Sequence, residues 1–149
     1  MSALQRIEMV KFQDQRGTML KPRVGVDADS VIAEIRDAYV TQSVAGAFRG
    51  FHYQIEPYAQ TKVFGCLWGS MTVYAVDPCQ SPPRTVDALA ISAFEGVMAP
   101  RGWATATFTE LGATYAFFSD ALYTPDAERT IDLATISEKS GLKSIRVRS

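Results

Sequence analysis

The chain contains a single histidine, His52, in a segment that also carries the polar side chains of Arg49, Tyr53 and Gln54. Residues two apart in a strand point to the same side. This alternation predicts one face with Gly50, His52 and Gln54 and an opposite face with Arg49, Phe51 and Tyr53. Lys62 opens the next apolar run. A histidine, an amide and a lysine that converge inside a barrel need polar partners, which is a costly arrangement for structure alone. Two interpretations stay open: a histidine that acts in a reaction, and a hydrogen-bonded histidine of the core.

The elements that must position these residues are predicted to be short strands. Runs rich in aromatic and β-branched residues recur at a spacing of about 8–12 residues, which is typical of a β-sandwich or barrel. The runs are Lys62 to Leu67, Met71 to Val76, Ala88 to Ile91, Gly96 to Ala99, Ala104 to Thr109 and Thr114 to Phe118. An all-β jelly roll that forms one domain over residues 1–149 is the most economical architecture.

Two connections are predicted from turn chemistry and local pattern. Trp68-Gly69-Ser70 is interpreted as a turn between two runs, and Asp77-Pro78 as the end of the second run. Asp27 to Ala38 is interpreted either as a helix or as a loop that leads into a strand.

Composition narrows the classes of function. The 149 residues carry a formal net charge of −1, so no global field favours nucleic acid or an anionic membrane as a partner. No apolar run approaches the ~20 residues that span a bilayer, and no secretory leader is evident, so we expect a cytoplasmic protein. Cys66 and Cys79 fit no zinc or disulfide pattern, and Cys66 is expected in the core.

Several segments, taken together, resemble a known family. They are Phe12 to Gly17, Arg49 to Gln54, Gln60 with Lys62, Gly69 to Asp77 with Ser81-Pro82, Pro100 to Ala104, Tyr123 to Pro125 with Glu128, and Ile136 to Lys139. In this order, and with an Arg-Gly-x-His-x-Gln motif, they resemble the dTDP-4-dehydrorhamnose 3,5-epimerases. These RmlC-type cupins act on nucleotide-linked 4-keto-6-deoxy sugars. The resemblance covers most of the chain and implies a double-stranded β-helix, the jelly-roll fold of cupins.

The resemblance also implies roles for individual residues. His52 matches the base that removes a proton from a carbon next to the 4-keto group. Lys62 matches the cation near the keto oxygen, where a developing enolate needs positive charge. Arg16 and Arg49 match contacts to the diphosphate, which suit the guanidinium fork. The other residues expected on the substrate are Gln54, Tyr123, Glu128 and Lys139. For Tyr123 the alternative is packing, and for Glu128 and Lys139 it is an ordinary surface position.

The same resemblance implies how the chain assembles and what it binds. The residue that matches Arg16 reaches the neighbouring subunit's site, which implies a homodimer that binds a nucleotide-diphosphate sugar, dTDP-linked by analogy. Cupin metal sites use several histidines, and this chain has one. A stable transition-metal site is therefore hard to assemble, and we expect no metal and no other cofactor.

The departures from the family pattern cluster at the chemistry. Phe117 stands where the family has the tyrosine that protonates the opposite face of the sugar, and Thr105 stands where it has a second histidine. Ser140 replaces the carboxylate that supports the base, and Val73 and Lys21 replace acidic residues. A phenylalanine cannot donate a proton, and the loss of one positioned general acid lowers a rate by ~10²–10⁴-fold. Tyr115 faces the same side of its strand as Phe117, about 7 Å away, and is a candidate replacement. The alternative is that Tyr115 only packs.

Two functions follow from these residues. The first is an isomerase of deoxysugar and polysaccharide biosynthesis, with altered specificity, that epimerises a nucleotide-linked 4-keto-6-deoxy sugar through His52 and Lys62. The second is a non-catalytic homologue or accessory subunit that binds nucleotide sugars with Arg16, Arg49 and Tyr123. Deuterium exchange at the sugar carbons separates them, because only the first function breaks a C–H bond.

Overall fold

The computed structural model describes residues 3–7, 9–22, 32–142 and 145, and strands account for most of this backbone. The strands are β1 (Gln5–Ile7), β2 (Met9–Asp14), β3 (Gly17–Pro22), β4 (Asp37–Ser43), β5 (Phe48–Gln54), β6 (Lys62–Val76), β7 (Asp87–Ser92), β8 (Gly96–Ala99), β9 (Ala104–Phe108), β10 (Ala113–Ser119) and β11 (Glu128–Thr130). Short 3₁₀ turns cover Pro125–Ala127, Leu133–Thr135 and Glu138–Ser140. In the described ranges, no helix has the length and apolar character needed to cross a membrane.

Two antiparallel sheets share the long strand β6. The first sheet has the order β1–β8–β6–β10–β4, in which β6 uses its first half, up to Gly69. The second sheet has the order β7–β6–β9–β5–β11, in which β6 uses its second half, from Ser70. This is the jelly-roll arrangement, and the prediction of an all-β cupin fold is confirmed.

The predicted runs correspond to strands, but the predicted turn at Trp68-Gly69-Ser70 is wrong. The chain stays extended there, and Gly69 marks the corner where β6 passes from one sheet to the other. Gly69 has φ +79°, and a Cβ at this position would collide with the carbonyl oxygen of Gly112 on the neighbouring chain segment. A glycine required by a bend between sheets looks the same in the sequence as a glycine required by a turn.

The segment with two interpretations, Asp27 to Ala38, ends in a strand. Asp37 and Ala38 are the first residues of β4, and residues 32–36 are irregular, which agrees with a loop that leads into a strand. The helical interpretation is wrong for residues 32–38, and residues 27–31 lie outside the described part of the chain.

The apolar core lies mainly between the two sheets, where the fully buried Cys66 confirms its expected position. A second cluster covers the outer face of the second sheet, where Ile131, Ile136 and Leu142 of the C-terminal segment pack. Strand alternation assigns the residues of β9 to these two sides. Its alanines face the outer cluster, and its two inner threonines face the space between the sheets.

One hairpin stands apart from both sheets. Strands β2 and β3 pair with each other over Met9–Pro22 and form a sheet of two strands. Their apolar residues Phe12 and Met19 are 51% and 61% exposed. These two side chains of the hairpin therefore find little cover on their own chain.

Candidate active site

A cavity of about 320 Å³ lies between the two sheets, a volume in the range of small-molecule sites. One wall comes from β4, β10 and the start of β6, and the other comes from β5, β9 and β11. All the site residues predicted from the sequence line this cavity except Arg16 and Lys139. The sequence segments that carry these residues therefore converge on one cavity.

Strand β5 reaches the cavity with an irregular register. The pairing of β5 with β9 shifts between Arg49 and His52, so both side chains line the cavity although they are three residues apart. Phe51 is fully buried in the outer cluster, as alternation predicts. The predicted alternation is wrong for Arg49, which lines the cavity together with His52. Tyr53 packs against the outer cluster beside Phe51, as predicted, and also borders the cavity. A register shift of this kind leaves no periodic signal in the sequence.

Gly50 makes this register possible through a close approach of two backbones. A Cβ at Gly50 would lie 2.5 Å from the carbonyl oxygen of Thr105 and 2.6 Å from the Cα of Ala106. The residue also has φ +129°, in the region that favours glycine. A side chain here would push β5 away from β9 and displace the neighbouring histidine.

His52 has a carboxylate partner. Its Nδ1 lies 3.3 Å from Oε1 of Glu128, and the other carboxylate oxygen accepts a 2.8 Å hydrogen bond from the hydroxyl of Tyr123. Strand pairing creates the contact, because β11 sets Thr130 opposite His52 and Glu128 on the diagonal. The hydrogen bond to Glu128 raises the pKa of the Tyr123 hydroxyl. A carboxylate at Nδ1 favours the tautomer in which Nε2 carries the lone pair of a general base.

The carboxylate at the histidine corrects one expectation from the sequence. The resemblance places the supporting carboxylate at Ser140, but the hydroxyl of Ser140 donates a 2.7 Å hydrogen bond to the carbonyl of Ser137, in the last 3₁₀ turn. Glu128 lies beside His52 instead, whereas the resemblance implies for it a contact to the substrate. The contact depends on which strand pairs with β5, and no local sequence motif predicts that pairing.

Lys62 is a buried ammonium with two partners at its Nζ. The side chain donates 2.8 Å hydrogen bonds to the carbonyl oxygen of His52 and to Oγ1 of Thr105. Burial lowers the pKa of Lys62 to about 7, against the opposing effect of the negative charge on Glu128. Thr105, which stands where the resemblance implies a second histidine, is thus an anchor for the lysine. An ammonium has three donors, so one N–H remains for an oxygen in the cavity.

Gln54 lines the cavity, but its amide is occupied by backbone groups. Its Nε2 donates to the carbonyl oxygens of Tyr58 at 2.7 Å and Leu122 at 3.1 Å, and its Oε1 accepts from the N–H of Thr124 at 2.6 Å. At 3% exposure the side chain has little room for another partner. Gln54 therefore holds the two loops at the cavity mouth, including the loop that carries Tyr123.

The wall opposite His52 carries aromatic rings. Phe117 is 3% exposed, and the ring of Tyr39 from β4 stacks on it with centroids 4.4 Å apart and planes at 17°. Tyr115 is 5% exposed, and its hydroxyl oxygen lies 3.4 Å from Oγ1 of Thr107. The sequence analysis missed Tyr39, because only the β4–β10 register places it across from Phe117.

The predicted cations divide into two groups. Arg49 lines the cavity, where its Nε donates a 3.0 Å hydrogen bond to the hydroxyl of Ser43. Arg16 lies at the tip of the separate hairpin, is 90% exposed and pairs with Asp14 at 2.5 Å. Lys139 is exposed in the last 3₁₀ turn. The chain does not bring Arg16 or Lys139 to its own cavity.

Two further positions that depart from the family pattern lie away from the cavity. Val73 is fully buried in the core between the sheets, and Lys21 is exposed on β3. Within the described ranges, no three His, Cys, Asp or Glu side chains group as ligands of a metal ion would.

Comparisons with known proteins agree with this architecture. A curated dTDP-4-dehydrorhamnose 3,5-epimerase from Shigella flexneri is 36% identical over 75 residues, which are 48% of this chain. The match spans 41% of the length of that relative.

Solved structures resemble nearly the whole chain. A dTDP-4-dehydrorhamnose 3,5-epimerase from Sulfolobus tokodaii has a TM-score of 0.74 at 21% identity and covers 99% of this chain and 94% of its own. An RmlC from Legionella pneumophila, solved in complex with dTDP-4-keto-L-rhamnose, has a TM-score of 0.73 at 20% identity, with 97% and 87% covered. At these identities the likeness shows the fold. The sequence profile of the family dTDP-4-dehydrorhamnose 3,5-epimerase matches residues 1–138, and the chain therefore belongs to this family.

Proposed function

We propose that the chain is an isomerase that epimerises a nucleotide-linked 4-keto-6-deoxy sugar, dTDP-linked as in its relatives. The observation that carries the proposal is the joint placement of a base and a cation in one cavity. His52 has a carboxylate 3.3 Å from Nδ1, and the ammonium of Lys62 lies 2.8 Å from the carbonyl oxygen of the same histidine. Proton abstraction next to a ketone requires such a pair, because the enolate that forms needs a fixed positive partner.

In the proposed reaction His52 takes a proton from a carbon next to the keto group. The C–H electron pair moves toward the keto oxygen, and the remaining N–H of Lys62 donates a hydrogen bond to that oxygen. Glu128 stabilises the imidazolium that His52 becomes. Because the pKa of Lys62 is lowered to about 7, the ammonium is also able to share its proton with the enolate near neutral pH.

The binding part of the proposal uses residues on both sides of the cavity mouth. Arg49 is assigned to the diphosphate, and Tyr123, held by Glu128 at 2.8 Å, to the nucleotide side. Arg16 and Lys139 are exposed away from the cavity of their own chain, and Arg16 is assigned to the site of a second subunit in a homodimer. A cytoplasmic location and a role in deoxysugar biosynthesis belong to the same proposal.

Deuterium incorporation tests the proposed function. The protein is incubated with dTDP-4-keto-6-deoxyglucose in heavy water, and the signals of C3–H and C5–H are followed by NMR. We expect exchange at one or both carbons, with none in His52→Ala. Glu110→Gln, an exposed substitution outside the cavity, is the control and should exchange like the unmodified protein.

The second function that the sequence leaves open predicts the opposite result. A protein that only binds nucleotide sugars would bind the substrate, as measured by calorimetry, and would leave both carbons protonated. Binding without exchange across several nucleotide-linked 4-keto sugars would contradict the isomerase proposal.

A further inference from the structure

Inversion at a carbon needs a proton donor on the face opposite the base. His52 projects from the second sheet, so the donor must come from the wall that the first sheet forms. Four tyrosines line the cavity: Tyr39, Tyr53, Tyr115 and Tyr123. Tyr53 lies on the same strand as His52, and the hydroxyl of Tyr123 is bound to the carboxylate that contacts His52. Only Tyr39 and Tyr115 belong to the opposite wall.

Tyr115 is held as a structural side chain. It is 5% exposed and belongs to the core cluster between the sheets. Its hydroxyl oxygen lies 3.4 Å from Oγ1 of Thr107, a residue of the second sheet, so the phenol crosses from one sheet to the other. A hydroxyl that contacts both walls has little freedom to approach a sugar from one of them.

Tyr39 has the opposite properties. It lies on β4 directly across from Phe117, and its ring stacks on the Phe117 ring, which is backed by Phe64 at a centroid distance of 5.4 Å. The rings fix the direction of the phenol, while 48% of the side chain remains exposed. In the described part of the chain, its hydroxyl has no hydrogen-bond partner, which leaves it available to a ligand.

The electrostatic surroundings keep this phenol protonated. Burial raises the pKa of Tyr39 to about 12, with further contributions from the nearby Tyr115 and from the negative charges of Asp37 and Glu128. Arg49 lies close enough to favour the phenolate, which lowers the cost of a transient negative charge. The Tyr39 phenol is therefore a neutral proton donor before the reaction, and Arg49 stabilises the phenolate that forms when the proton is transferred.

We propose that Tyr39 is the proton donor on the face of the sugar opposite His52, an inference that rests on the proposed function. His52 breaks the C–H bond and takes the proton, and the electron pair is held as the enolate. The enolate carbon then forms a C–H bond with the Tyr39 proton on the opposite face while the ketone reforms. The phenolate regains a proton from water and the imidazolium loses one to water, so the sum is an isomerisation without oxidation or reduction.

One NMR experiment separates the two faces of the reaction. Tyr39→Phe is incubated with dTDP-4-keto-6-deoxyglucose in heavy water, with deuterium exchange and the inverted product, identified by its proton couplings, measured in the same sample. We expect exchange within about 10-fold of the unmodified protein, since His52 can return a deuteron to the face it serves, and inversion slower by ~10²–10⁴-fold. Tyr58→Phe is the matched control, because the Tyr58 side chain is exposed and does not line the cavity. The variant keeps the backbone carbonyl that Gln54 contacts, and it should change neither rate.

Each other outcome has a distinct meaning. Inversion at the normal rate in Tyr39→Phe overturns the assignment, as does loss of inversion in Tyr115→Phe with Tyr39→Phe unaffected. Equal loss of exchange and inversion in a folded Tyr39→Phe protein also overturns it, because that pattern belongs to a binding role. Exchange without inversion in the unmodified protein would overturn the assignment of Tyr39 as proton donor, while it would still support His52 as the base. No exchange in the unmodified protein contradicts the proposed function itself.

Discussion

At the residue scale, the site depends on the partners that each polar group finds in a partly buried cavity. Lys62 is 5% exposed, and an ammonium removed from water is destabilised unless it donates to good acceptors. The carbonyl oxygen of His52 and the hydroxyl of Thr105 supply two of them. The lysine is thereby fixed against the backbone of His52, the proposed base.

The first prediction concerns the carboxylate of Glu128 beside His52, the proposed base. Glu128→Ala removes the acceptor 3.3 Å from Nδ1 of His52, so the ring loses its orientation and its preferred tautomer. We expect kcat for deuterium exchange to fall by about 10-fold to 100-fold, less than the loss of the base itself. Glu128→Gln keeps an oxygen acceptor and should fall less. An unchanged kcat in Glu128→Ala would show that the contact has no role in catalysis.

The second prediction is a pH dependence of stability caused by Lys62. The folded-state pKa, about 7, is below the ordinary value of 10.5, so between these values the unfolded chain binds more protons than the folded chain. The free energy of unfolding should therefore rise with pH above 7, by up to about 1.4 kcal/mol per pH unit from this group. The measurement is urea unfolding at pH 7, 8 and 9.

Lys62→Met isolates this contribution, because the variant lacks the titrating group. The unmodified protein should gain stability relative to Lys62→Met as the pH rises from 7 to 9. Parallel pH profiles for the two proteins would mean that the buried lysine keeps its proton throughout.

At the element scale, strand pairing decides which side chains meet. Strand β11 has three residues, yet it brings Glu128 to His52 because it pairs with β5 in one register. Strand β4 brings Tyr39 to Phe117 in the same way. Both contacts depend on sheet edges, where a shift of one residue would turn the side chain away from the cavity.

The third prediction tests the close approach of β5 and β9. Gly50→Ala places a Cβ 2.5 Å from the carbonyl oxygen of Thr105 and adds backbone strain at φ +129°. We expect a loss of about 2–5 kcal/mol in the free energy of unfolding, from overpacking together with strain. Gly46→Ala is the matched control, since its φ is +78° with no atom within 4 Å of the added Cβ. It should lose about 1 kcal/mol from strain alone, and equal losses in both variants would contradict the close approach.

Much of this arrangement was predictable from the sequence, and the rest was not for physical reasons. Hydrophobic runs and turn residues predicted strands such as β8 at the correct residues, because strand formation leaves a local pattern. The family motif predicted the cavity position of His52 with Lys62. The passage of β6 between sheets at Gly69, the side of Arg49 and the contact of Glu128 depend on pairing between distant segments, which a local pattern does not record.

At the scale of the whole molecule, the separate hairpin is the feature that the single chain does not explain. Strands β2 and β3 expose Phe12 and Met19 and carry Arg16 away from the cavity. A second copy of the chain would cover this apolar surface, and closed twofold assemblies are the most common oligomers. The proposed homodimer therefore accounts for both the exposed residues and the position of the arginine.

The fourth prediction tests whether Arg16 acts on the other subunit. Arg16→Ala and His52→Ala, each expected to be nearly inactive alone, are unfolded together and refolded as a mixture. In a mixed dimer one site combines an intact His52 with an intact Arg16 from the partner subunit. The mixture should recover roughly a quarter of the normal exchange rate, since half the dimers are mixed and each has one intact site of two. No recovery, or a mass of 16.4 kDa in sedimentation, would contradict the assignment.

The position of β4 at the rim of the first sheet has a consequence for the divergence of specificity. In the described residues β4 pairs with β10 alone, so changes to its side chains perturb one neighbouring strand. Asp37, Tyr39 and Thr41 alternate along it and all face the cavity. His52 and Lys62, the proposed base and its cation, lie instead on strands paired on both sides, where a substitution disturbs two neighbouring strands. Substitutions on β4 would therefore change one wall of the cavity while leaving the pairing of the strands that carry His52 and Lys62 intact.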